Sequence, residues 1–229
     1  MNLLLTNDDG VDAAGLAALR AAAEALGSVL VVAPAICHSG GGHRVTTHDP
    51  IRISQRDENC YVIDGTPADC VRIALDRFWP SGDLVVAGIN HGGNLGVDLY
   101  MSGTAAAVRE AVLHGKRGIA VSQYHRKGVD PLDWSRSARW LAPVLRDLIE
   151  RPWKPGTFWN VNLPHLPASA ADPEIVFCPI DPSPLPVSYE TTGELLRYNG
   201  DYHRRKRLPG TDVDVCFGGK IAVSVVKSL

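Results

Sequence analysis

Two adjacent carboxylates, Asp8 and Asp9, stand directly after the apolar run Leu3-Leu4-Leu5, with Gly10 behind them. A short continuous apolar run reads as a buried strand. In an open α/β sheet, ligands sit beyond the carboxyl ends of the strands. Neighbouring like charges raise each other's protonation unless a cation neutralises them. Hard divalent cations such as Mg²⁺ or Mn²⁺ take oxygen ligands of this kind. A plain loop or a helix cap would use the same residue types. Two further strand ends offer oxygens: Ser39, ahead of three consecutive glycines, and the pair Asn90 and Asn94. The convergent set carries only two charges and demands no His or Cys. It suits Mg²⁺, Mn²⁺ or Ca²⁺ better than Zn²⁺ and leaves coordination positions for water and substrate.

Ser102-Gly103-Thr104 opens an Ala-rich run over 105–114. Free N–H groups at a helix start attract anions, and glycine allows close approach; an N-cap by Ser or Thr is compatible with this use. The loop 88–96 holds four glycines but matches neither Gly-x-Gly-x-x-Gly nor a P-loop. A metal-binding acid pair beside an anion cradle points to phosphoryl transfer to water.

The elements that must position these residues follow from local pattern. Residues 14–26 read as a helix ended by Gly27, and 29–33 as a strand stopped by Pro34. Residues 51–54 and 60–63 predict a hairpin joined through 55–59. Thr66-Pro67 opens a helix to about Phe78. Residues 83–87 and 119–122 predict buried strands, and 132–150 an amphipathic helix kinked or altered near Pro143. The alternation predicts an α/β fold: a Rossmann-like three-layer sandwich with a mainly parallel, doubly wound sheet. From Arg151 prolines become dense. Strands are expected at 158–162 and 175–178, a short helix from Thr211-Asp212 and a last strand at 220–226. The segment 188–207 predicts an excursion, with 195–198 and 202–205 forming a hairpin about Asn199-Gly200.

The chain has 229 residues, 45% of them apolar, and a net charge of −2. The near balance argues against broad binding to nucleic acid or membrane. Five cysteines without Cys-x-x-Cys suit a reducing compartment. No secretory leader or membrane-length apolar run is read, so a soluble cytoplasmic protein is expected.

The ordered motifs Thr6-Asn7-Asp8-Asp9-Gly10, Val32-Ala33-Pro34, Ser39-Gly40, 64–70 (Asp-Gly-Thr-Pro-Ala-Asp-Cys), Gly88-Ile89-Asn90, Asn94-Leu95-Gly96, Ser102-Gly103-Thr104 and Gly210-Thr211-Asp212 resemble the SurE family of nucleotidases. The resemblance covers nearly the whole chain. It implies a metal-dependent phosphatase of nucleoside 5′- and 3′-monophosphates, with short polyphosphate a substrate in some members. It further implies one SurE-like domain over 1–229, with a protruding hairpin at about 181–209 that joins subunits into a homodimer or homotetramer. Carried over by motif, Asp8, Asp9, Ser39 and Asn90 hold one divalent cation per subunit, Mg²⁺ or Mn²⁺. Asp8 and Asp9 are the catalytic pair; Asn94, Ser102, Gly103 and Thr104 hold the phosphate. The usual Gly-x-His-Ala-Pro is replaced by Gly10-Val11-Asp12-Ala13-Ala14, which puts a third acid near the expected site.

Other residues carry blander expectations. Cys37 is expected to be a small buried residue, His43 and Arg44 surface cations, and 203–207 a solvated charge run. His38 and His91 are candidate proton donors to a leaving alkoxide. A receiver domain would need an Asp at the end of the third strand, where Gly88-Ile89-Asn90 stands. Haloacid-dehalogenase phosphatases use Asp-x-Asp rather than adjacent acids. A non-catalytic nucleotide sensor would use the same cradle and is the remaining alternative.

Overall fold

Leu3 and Leu5 of strand β1 (Asn2–Thr6) pack into one core and Leu4 into another, so the first strand feeds both faces of a sheet. Successive strand side chains point to opposite faces, and a strand covered on both sides is apolar throughout. The computed structural model describes residues 1–228. Helix α1 (Ala14–Ala23) is followed by β2 (Ser28–Pro34) and the hairpin β3 (Ile53–Asp57) and β4 (Cys60–Ile63). Then come α2 (Pro67–Ile73), β5 (Leu84–His91), α3 (Gly103–Leu113), β6 (Arg117–Gln123), α4 (Trp134–Glu150) and β7 (Thr157–Leu163). The chain closes with β8 (Ile175–Phe177), the hairpin β9 (Tyr189–Thr192) and β10 (Leu195–Tyr198), α5 (Asp212–Phe217) and β11 (Ile221–Lys227).

Nine strands form one sheet in the order β3-β4-β2-β1-β5-β6-β7-β11-β8. The pairings from β4 to β7 are parallel; β3 on β4 and β11 on β7 are antiparallel. Helices α1 and α4 cover one face through Leu16, Leu19, Leu141 and Leu145, and α2 and α3 the other through Cys70, Val71, Val108 and Ala111. The expected three-layer α/β sandwich is present. No helix among the described residues is long and apolar enough to cross a membrane.

Local expectations needed correction at four places. Strand β3 runs to Asp57, so the connection assigned to 55–59 is shorter than expected. Helix α4 is continuous through Pro143, which lies on the solvent face where water can take the carbonyl it leaves free. Strand β5 does not end at Ala87. Its pairing with β6 is irregular between Ala87 and Asn90 and resumes at Asn90↔Ser122. Gly88 sits in that irregularity at φ +139°, where a Cβ would fall 2.2 Å from the Val121 carbonyl oxygen. The glycine therefore marks a bulge inside a strand rather than a loop.

The fourth correction concerns the excursion. The hairpin pairs Tyr189–Thr192 with Leu195–Tyr198, and Tyr202–Arg204 forms a helical turn instead of a strand. Gly193 and Glu194 make the two-residue loop, with Gly193 at φ +62° in the first central position that a type II′ turn reserves for glycine. Asp201 caps the later turn through the N–H groups of His203 and Arg204. The run 203–207 is not uniformly solvated. The Arg205 side chain is fully buried, with Nη1 2.8 Å from Asp98 Oδ2. Tyr202 Oη donates to the same carboxylate oxygen at 2.8 Å, and Arg205 Nη2 donates to the Leu95 carbonyl.

Two carboxylates close the base of the excursion. Asp181 accepts from Ser183 N, Leu208 N and Thr211 Oγ1 at 2.7–2.9 Å. Burial pushes its carboxyl up, but these hydrogen bonds outweigh that and bring it down to about 2. Asp212 accepts from Asp181 N and Gly96 N, each at 2.8 Å, which ties both ends of the excursion to the loop after β5.

Candidate active site

The turn after β1 is built by Asn7, whose Nδ2 donates to the Gly10 carbonyl at 2.8 Å while its Oδ1 accepts from Gly10 N at 3.2 Å. This turn presents Asp8 and Asp9 at the carboxyl edge of the sheet. The Asp8 carbonyl accepts from His38 N at 2.7 Å, which draws the loop after β2, and with it Ser39, to the acid pair. Asp9 Oδ2 accepts from His91 N at 2.9 Å, at the end of β5. Three strand ends meet here as the spacing predicts.

Helix α3 supplies the fourth side. Ser102 caps it, its Oγ accepting from Ala105 N at 3.0 Å. The first N–H groups of a helix have no partner within the helix; in α3 the Ala105 N–H is taken by Ser102 and the Thr104 N–H by the Asp8 carboxylate. Thr104 Oγ1 donates to Asp8 Oδ1 at 2.6 Å. A Cβ on Gly103 would lie 2.8 Å from Asp8 Cβ and 2.9 Å from Asp8 Oδ2. Gly103 is therefore a contact point between helix and carboxylate. Gly103→Ala is expected to displace Asp8 or the helix start and to lower the phosphate release implied by the resemblance at least tenfold with far-UV circular dichroism unchanged; wild-type activity would sever this packing from function.

Asn94 is fixed by a buried polar network. Its Nδ2 donates to Ser122 Oγ at 2.8 Å, its N–H to Asn162 Oδ1 at 2.9 Å, and its carbonyl accepts from Asn160 Nδ2 and Asn162 Nδ2. Sequence reading places 158–162 on a strand without assigning this support. Its visible signal is a polar pair, Asn160 and Asn162, spaced to share one face of a buried strand.

Asp8, Ser39, Asn90, Asn94 and Ser102 line one cavity of about 600 Å³. The excursion adds Leu185, Pro186, Val187, Tyr189, Tyr198 and Tyr202 to the lining. Asp9, Gly103 and Thr104 stand behind the polar floor rather than in the lining. The Tyr189 and Tyr198 rings pack edge to face at 5.7 Å, and Tyr198 Oη donates to the Pro186 carbonyl at 2.8 Å. The cavity lining thus combines polar and aromatic side chains, as a ligand with an anionic head and an apolar body requires.

Asp8 is buried, and its carboxyl is raised, first by desolvation and further by the Asp9 charge, against the lowering effect of the Thr104 hydrogen bond. Neither acid forms an ion pair with a Lys, Arg or His among the described residues. No group of three His, Cys, Asp or Glu side chains is placed to hold a metal among them either. The available donors are two carboxylates, the Ser39 hydroxyl and the Asn90 carbonyl oxygen; Asn90 Nδ2 is turned to the Gly92 carbonyl at 2.6 Å. An uncompensated acid pair with neutral oxygens fits a hard divalent cation and not a thiolate- or imidazole-bound one.

Several neighbouring residues take other places than expected. Asp12 is exposed and pairs with Arg56 away from the cavity, so it adds no third acid to the site. Cys37 is exposed rather than buried, its Sγ 3.0 Å from Ser39 Oγ. His43 is not a free surface cation: its Nε2 lies 2.7 Å from Oε2 of buried Glu110 on α3. His91 lines the cavity and His38 does not.

Comparison with known proteins places this geometry. Residues 3–180 match the family described as "Survival protein SurE". A Nostoc sp. protein named as a candidate 5′-nucleotidase is 50% identical, covering 99% of this chain and 100% of that one. A Rhodospirillum rubrum protein named "5′-nucleotidase SurE" is 44% identical over 73% of this chain and 66% of its own. The crystal structure of a protein from Aquifex aeolicus titled as a member of this family superposes with TM-score 0.85 and 28% identity, covering 100% of this chain and 94% of that one.

Proposed function

The chain belongs to the SurE family, and on that premise we propose that it is a 5′-nucleotidase, a phosphomonoesterase releasing nucleoside and phosphate from nucleoside 5′-monophosphates. The observation that carries the reading is one cavity whose lining joins Asp8, of the unpaired acid pair, and Ser102, at the start of α3, with Tyr189, Tyr198 and Tyr202. The phosphate is held at the start of α3 by the Gly103 N–H and the Ser102 hydroxyl, and by Asn94. The nucleoside lies along the aromatic wall.

In this reading Asp8, Asp9, Ser39 and Asn90 hold one divalent cation per subunit, Mg²⁺ or Mn²⁺. When bound, it would neutralise phosphate oxygens and lower the pKa of water. The residues of the chain do the rest. Thr104 fixes one Asp8 oxygen and leaves the other to the site. The His91 N–H fixes one Asp9 oxygen. Hydrolysis forms a bond from a water oxygen to phosphorus and breaks the bond to the nucleoside oxygen, which takes up a proton. His91, in the cavity lining, is the better placed of the two candidate donors for that proton. The same reading extends to 3′-monophosphates and short polyphosphate. It also extends to a homodimer or homotetramer joined through the hairpin, where Val187, Leu195 and Leu196 are exposed.

The test is phosphate release from 5′- and 3′-nucleoside monophosphates and an aryl phosphate, with Mn²⁺ or Mg²⁺ and with chelator. Release that needs metal and ranks 5′-nucleotides above the aryl ester is expected. Folded protein that binds nucleotide but releases nothing with any metal would be a sensor instead.

A further inference from the structure

A second, larger cavity of about 1030 Å³ lies on the other side of Tyr202, a residue that lines both cavities. Two separate stretches contribute cations to it: Arg126 and Lys127 from the loop after β6, and Arg204 and Arg207 from the segment after the hairpin. One carboxylate, Asp201, is in the lining. Its ion pair with Arg204 is long, at 3.7 Å, and Arg204 is 88% exposed. Arg126 and Lys127 form no ion pair among the described residues. Arg207 is shared with Asp214 at 3.5 Å and lies over the Phe217 ring.

The groove is also shaped. The Tyr124 ring stacks on Phe217 at 4.4 Å, and Tyr124 Oη and His203 Nδ1 are 2.8 Å apart. Tyr202 is held as a partition by its hydrogen bond to Asp98. Sequence gathers three of the groove's cationic or imidazole residues into one run but gives no sign that Arg126 and Lys127 join them. Arg205, in the middle of that run, faces away into the protein.

We propose that this basic groove is a second phosphate-binding subsite adjoining the ligand cavity across Tyr202, taking the distal phosphate of a nucleoside 3′,5′-bisphosphate whose 5′-phosphate lies at Asp8. The proposal rests on the 5′-nucleotidase reading above. Four cations in the lining, two of them without an ion-pair partner among the described residues, favour an acceptor-only, multiply charged group. A monophosphate at the acid pair leaves the groove unused. A second phosphate on the same nucleoside reaches past Tyr202 and exchanges water for charge-assisted hydrogen bonds. Such contacts do not touch the reacting atoms, so they strengthen binding without changing the chemical step.

The test compares adenosine 5′-monophosphate with adenosine 3′,5′-bisphosphate in the wild type and in the Arg126→Ala/Lys127→Ala and Arg204→Ala variants. The wild type is expected to show a KM about tenfold lower for the bisphosphate, since a few exposed charge contacts each contribute little. The variants should lose that advantage, keep kcat and leave the monophosphate kinetics unchanged. The bisphosphate advantage should also shrink as salt rises from about 0.05 to 0.5 M. Equal KM for both nucleotides in the wild type, or equal losses for both in the variants, overturns the groove. If neither nucleotide is hydrolysed, the hydrolase reading fails on its own. Calorimetric titration of both nucleotides with Mg²⁺ then decides the groove, which stands only if the bisphosphate binds more tightly and the variants erase the difference.

Discussion

Asp8→Asn is expected to reduce phosphate release by about 10³-fold or more while leaving the protein at least as stable as before. The two halves have one cause. Asp8 is buried beside Asp9, and desolvation raises its carboxyl. An acid whose folded-state pKa lies above its unfolded value is stabilising only when protonated. Its charge works against the fold at pH values above both, which includes neutral pH. Asparagine keeps the shape and an oxygen for the Thr104 hydroxyl but removes the charge. In the absence of metal the melting temperature should therefore stay level or rise. The lost charge is the one proposed to hold the cation, and several kcal/mol of transition-state stabilisation go with it, each 1.36 kcal/mol being tenfold in rate. Melting with and without Mn²⁺ provides the second reading: the metal should raise the wild-type midpoint and leave that of Asp8→Asn in place. Release within tenfold of wild type would remove Asp8 from the site.

The second large effect lies away from the chemistry. Arg205→Met is expected to destabilise the protein by about 3–5 kcal/mol, because it leaves Asp98 buried and unpaired. For a chain of this size that is a fall in melting temperature of roughly 6–20 °C. Arg204→Met, one residue earlier and almost fully exposed, should move it by less than about 0.5 kcal/mol. The double change Arg205→Met/Asp98→Leu should recover much of the loss, since replacing a whole buried ion pair by apolar groups is often neutral. Urea unfolding of the four proteins checks this. Equal stabilities for the Arg204 and Arg205 variants would show that the buried pair contributes nothing.

The contrast between those neighbours explains what sequence could and could not give. Leu3-Leu4-Leu5 announces a strand buried on both faces, and Asp8 and Asp9 after it announce the sheet edge, because both signals are local. Ser102-Gly103-Thr104 is legible for the same reason: a cap, a glycine and an alanine-rich run are contiguous. Arg205 and Asp98 are 107 residues apart, and a cation within a basic run gives no local sign that it turns inward. Gly88 misleads because a bulge glycine and a loop glycine look alike until Val121 is seen against it. Asn199-Gly200 outcompeted Gly193-Glu194 as a turn signal. The hairpin nevertheless closed at the latter, where Tyr189 and Tyr198 could pair across the strands. Cys37 departs from the usual burial of cysteine because its loop is pinned by His38 N to Asp8 and not by its own side chain.

Asp181 and Asp212 bring the two ends of the excursion together, the main-chain N–H of one bonded to the side chain of the other. A segment whose ends already touch can change in length or composition with only a slow growth in closure entropy. The polar floor at Asp8 and Asn94 is fastened by the sheet and α3, whereas the tyrosine wall is held by that clasp and by Tyr202 and Arg205 on Asp98. On the proposed function, the fold therefore separates a part that sets the reaction from a part that sets its clientele. New substrate ranges are reached most readily by grafting between residues 182 and 207 with Asp98, Tyr202 and Arg205 retained, as one changes the jaw of a tool while keeping its handle.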